Sequence, residues 1–126
     1  MEEQYITFET AKIAKEKKFI YPTLANYECE EDGTVKELNW KFKTLGDFLD
    51  NLHTPVCTQN LLQKWLREVH NIHIVITLEF SESLKELWYY GLLSIKGNEI
   101  NELGDECYTT YELALEAALQ EALKLI

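Results

Sequence analysis

The chain has 126 residues, 46% of them hydrophobic and 12% aromatic, with 22 acidic against 12 basic side chains and a formal charge of -10. That length suits one compact domain, residues 1–126, which buries roughly two-thirds of its unfolded surface and needs no disulfide staples. Basic side chains on phosphates supply most nonspecific affinity for nucleic acids, so this charge argues against a DNA or RNA binder unless the lysines converge in space.

The N-terminal "MEEQYITFET" has no basic region followed by an apolar run, and no stretch approaches the length of an apolar membrane span. It therefore reads as a cytoplasmic chain without signal peptide or transmembrane helix. Cys29, Cys57 and Cys107 are odd in number and far apart, the pattern of free thiols in a reducing compartment.

Thr7 precedes "FETAKIAKEKKF", with Glu9 early and lysines late, which suits a helix cap and the helix dipole. Phe8, Ala11, Ile13 and Ala14 give a short apolar stripe, predicting a helix over 8–18 that stops before Pro22. Lys12, Lys15, Lys17 and Lys18 cluster here, but Glu2, Glu3, Glu9 and Glu16 neutralise them. Asp32-Gly33 favours a tight turn, so 25–30 and 34–38 are expected to pair as a hairpin. The following "KFKTLGDFLDNLHTPVC" reads as an irregular connection closed by Pro55.

With Thr58 as cap, Leu61, Leu62, Trp65, Leu66 and Val69 form a stripe of helical period, placing Trp65 inward. Gln59, Gln63, Lys64, Arg67 and Glu68 fall on the opposite, solvent arc, and Asn71 suits the helix end. "HIVITLEF" then alternates: Ile74, Ile76, Leu78 and Phe80 share one face of a strand, His73, Val75, Thr77 and Glu79 the other. "ELWYYGLLSIK" predicts a second strand antiparallel to the first, with Trp88, Tyr90 and Leu92 on one face and Leu87, Tyr89, Leu93 and Ile95 on the other. Finally Thr109 and Glu112 form a capping box for a helix carrying Leu115, Ala118, Leu119, Ala122, Leu123 and Ile126 on its apolar stripe.

The fold class expected is α+β, an antiparallel sheet packed against two or three helices, with a C-terminal half ordered α-β-β-(β)-α if a short strand forms near Glu106 to Tyr108. That layout resembles double-stranded RNA-binding domains, in which lysines at the start of the last helix grip phosphates; the matching positions here are Tyr111, Glu112 and Leu113. A nucleic-acid-linked regulator without a basic surface is accordingly the alternative reading. The blocks "ITFETAKIAKEKKF", "TQNLLQKWLREVHNI" and "TYELALEAALQEALKLI" resemble three recurring blocks of small uncharacterised proteins of gut Bacteroidales and of their phages and prophages. That resemblance implies a cytoplasmic, mobile-element context and brings no activity and no functional residues.

Chemistry-bearing motifs are sparse. His70 and His73 make an H-x-x-H that Cys57 or Cys107 could in principle complete as a zinc site, but one histidine ends a helix and the other opens a strand, so no metal is expected. No Gly-rich oxyanion or phosphate loop accompanies any cysteine, and the acids Glu30, Glu31 and Asp32 sit at a turn. The expectation is a non-enzymatic protein with no cofactor, a small enzyme ranking third. The aromatic surplus in "LWYYGLL" instead points to an interface at Trp88, Tyr89 and Tyr90, for an unknown protein partner or a weak homodimer, against the plainer reading of burial in the core.

Overall fold

The computed structural model describes residues 4–19, 25–29, 35–39, 53–94, 100–101 and 106–126. Its elements run α1 (Phe8–Glu16), β1 (Ala25–Cys29), β2 (Val35–Asn39), β3 (His53–Val56), α2 (Gln59–His70), β4 (Ile72–Phe80), β5 (Glu86–Ser94), β6 (Ile100–Asn101) and α3 (Tyr111–Lys124). By packing, the chain groups into two compact units, Met1–Thr58 and Gln59–Ile126.

In the first unit, β1 is central and pairs antiparallel with β2 on one side and β3 on the other. The expected hairpin across Asp32-Gly33 is present as the β1–β2 pair, with a register shift between Glu28 and Cys29. The turn itself, the acids Glu30 to Asp32, and Pro22 lie outside the described residues. The segment read as an irregular connection ends in a strand, β3, which the sequence hid because Pro55 interrupts it. A proline is tolerated there because β3 is an edge strand, where a missing backbone donor can face away from the ladder.

Helix α1 is shorter than its apolar stripe suggests, and its end is built by the backbone rather than by Pro22. Lys18 adopts φ 75, Phe19 N–H donates to the Ala14 carbonyl at 2.9 Å and Lys18 N–H to that of Lys15 at 3.1 Å. This is the Schellman arrangement, closed by burial of Phe19 and Ala14. At the other end Thr7 Oγ1 accepts from Thr10 N–H, and Thr10 is buried although the stripe omitted it.

The second unit runs helix, three strands, helix. β4 and β5 pair antiparallel without a break in register from Ile72↔Ser94 to Phe80↔Glu86, and β6 adds two residues to the far side of β5. Tyr108, where a short strand was anticipated, makes a single bridge to Trp88 through two backbone hydrogen bonds. α2 and α3 pack against each other and both against β4, α3 against β5 as well, so both helices cover one face of the sheet. Leu62, Trp65 and Leu66 of α2, Ile72 and Ile74 of β4, Leu92 of β5 and Leu115, Ala118, Leu119, Ala122 and Leu123 of α3 are buried.

Three details of α2 and α3 differ from the sequence reading. Leu61 and Val69 belong to the apolar stripe yet are exposed, whereas Gln59, placed on the solvent arc, is buried. The first turn of α2 abuts α3: Gln59 Nε2 donates to the Glu112 carbonyl and to Glu116 Oε2, both at 2.9 Å. Buried polar groups persist when hydrogen-bonded, and this pair satisfies that condition between the two helices. The cap of α3 is Thr110, not Thr109: its hydroxyl accepts from Leu113 N–H at 3.1 Å, so Glu112 sits too early to complete a capping box. Tyr108 is held extended against Trp88, and Thr110 is still extended at ψ 158, which moves the helix start one residue later. Glu112 still favours the positive end of the dipole.

Candidate protein-binding surface

Cross-strand partners lie on one face of a sheet, so the register assigns every side chain of the β4–β5 hairpin. Ile72, Ile74, Ile76, Leu78 and Phe80 share the helix-covered face with Leu92, Tyr90, Trp88 and Glu86, while His73, Val75, Thr77 and Glu79 share the opposite face with Leu93, Gly91, Tyr89 and Leu87. Both assignments agree with the alternation in the sequence; Ile95 is outside the described residues.

Cover fades along the helix-facing side. Ile72 and Ile74 are buried, Ile76 is half-buried, Leu78 is 38% exposed and Phe80 60% exposed. The connecting residues 81–85 close with Leu84 N–H on the Ser81 carbonyl and Ser81 N–H on that of Lys85. Leu84, 80% exposed, sits at the tip with φ 62, a conformation that suits glycine or asparagine and costs leucine roughly 1–2 kcal/mol. Around the tip stand Glu79, Glu82 and Glu86, each exposed.

The three aromatic residues singled out in the sequence do not form one patch. Trp88 and Tyr90 lie on the helix-facing side, where Trp88 meets Tyr111 edge-on with centroids 5.7 Å apart and Tyr90 lies 6.3 Å from Tyr108. Trp88 Nε1 also donates to Glu86 Oε2 at 3.3 Å. Tyr89 stands on the other face beside Cys107, with Leu87 half-buried and Val75 and Leu93 exposed. Partial desolvation holds the phenols of Tyr89, Tyr90 and Tyr108 above their ordinary value, aided by Cys107 and Glu79 at Tyr89, and by Glu106 and Glu121 at the other two.

The strand carrying these residues is not an edge. Among the described residues β5 is paired with β4 on one side and with β6 and Tyr108 on the other, so β4 is an edge strand of this sheet. Pairing parity identifies which groups it presents. Both backbone groups of Trp88 are used on Tyr108, so those of its cross-strand partner Leu78 point away from β5, as do those of Ile76 and Phe80 two residues either side. At Ile74 the outward carbonyl accepts from Gln63 Nε2 at 3.4 Å. Among the described residues, Ile76, Leu78 and Phe80 have no such partner.

The histidines do not converge on one task. His70 closes α2 with its ring edge-on to Trp65, centroids 4.6 Å apart, and Asn71 follows at φ 56. His73 projects from the sheet face opposite the helices. Cys57 is buried and Cys107 exposed, and neither forms a disulfide. Among the described residues no three His, Cys, Asp or Glu side chains are grouped so as to hold a metal ion, and no helix is long and apolar enough to cross a membrane. Comparison with protein-family models, with curated proteins and with solved structures finds no match to this chain.

Proposed function

We propose that this protein is a non-enzymatic interaction or accessory protein, of the mobile-element setting its sequence resemblance implies, and that it binds protein through the β4–β5 hairpin. One observation carries the reading: five large apolar side chains of this hairpin are exposed, Leu78 and Phe80 on the helix-facing side, Val75 and Leu93 on the opposite side and Leu84 at the tip, on a chain of formal charge -10. Scattered exposed leucines are ordinary, but their concentration on both faces and at the tip of one hairpin favours an interface. Tyr89 adds a ring at the centre of the face away from α2 and α3, a residue type that gives large contact area at small entropic cost. Trp88 and Tyr90 contribute from the other side, as partly covered supports.

The test is affinity capture from the native host followed by mass spectrometry, with wild-type protein beside a Val75→Glu/Leu93→Glu variant. Both residues are exposed, so the variant should keep its circular dichroism and thermal midpoint. Capture of a defined protein that the variant loses supports the reading. Identical captures by both proteins, or none by either together with no self-association, contradict it.

A further inference from the structure

We propose that the occupant of the β4 edge is the β4 edge of a second copy, paired antiparallel about a twofold axis at Leu78. The inference deepens the interaction reading above and rests on it. An open sheet edge is a template for another strand, and soluble proteins usually blunt it with lysine, proline or a bulge. β4 has none of these: "IHIVITLEF" contains no proline or lysine, and its register with β5 is uninterrupted over all nine residues.

Register follows from which groups are available. Gln63 occupies the Ile74 carbonyl, so the open edge is residues 76–80, with the backbone groups of Ile76, Leu78 and Phe80 directed outward. Centring the ladder on Leu78 uses all three in both chains. On the helix side it sets Ile76 against Phe80 of the other copy and Leu78 against Leu78, covering the two side chains that project beyond the helices. On the opposite side it sets Thr77 against Glu79, a hydroxyl donor facing a carboxylate, with no pair of like charges directly across the ladder. Two three-stranded sheets would thus join into one. The charge of -10 on each chain opposes this approach, so association is weak at low ionic strength and tightens as salt screens the repulsion.

Sedimentation equilibrium of the purified full chain, across protein and salt concentration, reads the dimer constant. Wild type should show a dimer that strengthens with salt. Leu78→Lys and Phe80→Lys, both at exposed positions, should weaken it at least tenfold while leaving circular dichroism and thermal midpoint unchanged. Thr77→Lys is the register test: it brings a lysine opposite Glu79 twice per dimer, and should tighten the dimer about tenfold at low salt. A folded monomer under every condition overturns the proposal. So does a dimer indifferent to Leu78→Lys and Phe80→Lys, or one weakened by Thr77→Lys. Were a monomer still to capture a host protein that Val75→Glu/Leu93→Glu loses, the interaction reading would stand and only self-pairing would fall.

Discussion

The two ends of the β4–β5 hairpin have the same sequence pattern and opposite environments. Near the start of β4, Ile72 and Ile74 with Leu92 across the ladder are buried beneath α2 and α3; near its end, Leu78 and Phe80 continue the same face into solvent. Alternation fixes which face a side chain occupies, but how far the helices reach along that face decides whether it becomes core. The apolar residues past the last covering helix therefore remain at the surface.

Truncating the two ends should separate them most clearly. Trp65→Ala, which empties a ring site on α2, should cost about 3–5 kcal/mol, and Ile74→Ala about 2–5 kcal/mol. Phe80→Ala should change stability by less than about 0.5 kcal/mol, since substitutions at exposed positions rarely do more. Urea midpoints measure all three. A Phe80→Ala loss comparable with that of Ile74→Ala would erase the distinction between core and surface ends.

The buried link between the helices gives the next largest effect. Gln59→Leu removes both hydrogen bonds offered to α3 and leaves Glu116 without that donor, at a cost of about 1–3 kcal/mol. Gln59→Leu/Glu116→Leu, by removing both polar groups, should recover much of it, and a double-mutant cycle by chemical denaturation reads the coupling. Additive losses would mean that the two side chains act separately.

Smaller effects arise from leucine and lysine in left-handed backbone conformations. Leu84→Gly at the hairpin tip and Lys18→Gly at the end of α1 should each stabilise by about 0.5–1 kcal/mol, because the β-carbon penalty disappears. The pair sharpens the contrast: Leu84→Gly should also reduce binding through the hairpin, whereas Lys18→Gly should not. Thermal midpoints and sedimentation together check this.

The aromatic cluster adds a pH dependence. Tyr90 and Tyr108 have folded-state values raised above 10.0, so at alkaline pH the folded chain holds protons that the unfolded chain releases. Stability is unaffected below the ordinary tyrosine range and falls as pH rises through it and beyond. Tyr90→Phe should flatten that fall in alkaline urea titrations, and an unchanged slope would show that Tyr90 is as solvated folded as unfolded.

Much of this architecture was legible in the sequence because local periodicity and burial agree there. The stripe Leu115, Ala118, Leu119, Ala122 and Leu123 and the strand pair around Ile74 and Leu92 are examples. What escaped reading depends on tertiary neighbours. Gln59 looks like a surface residue until α3 is placed against it, Leu61 and Val69 look like core until the limits of their cover are known, and β3 is masked by a proline that only its edge position permits. The candidate surface was legible only in part: the aromatic richness of "LWYYGLL" drew attention to β5, but the pairing of β5 with β6 and its bridge to Tyr108, which make β5 central and leave β4 as an edge, have no local signature.

Residue-resolved amide hydrogen exchange along β4, measured at low and at high protein concentration, tests the account at its centre. At low concentration the amides of Thr77 and Glu79, directed into the ladder with β5, should be protected, and those of Ile76, Leu78 and Phe80 should exchange quickly. On raising the concentration, Ile76, Leu78 and Phe80 should gain protection together while Thr77 and Glu79 change little. Protection of all five amides in the dilute protein would contradict an open edge, and fast exchange of Ile76, Leu78 and Phe80 at every concentration would contradict its pairing with a second copy.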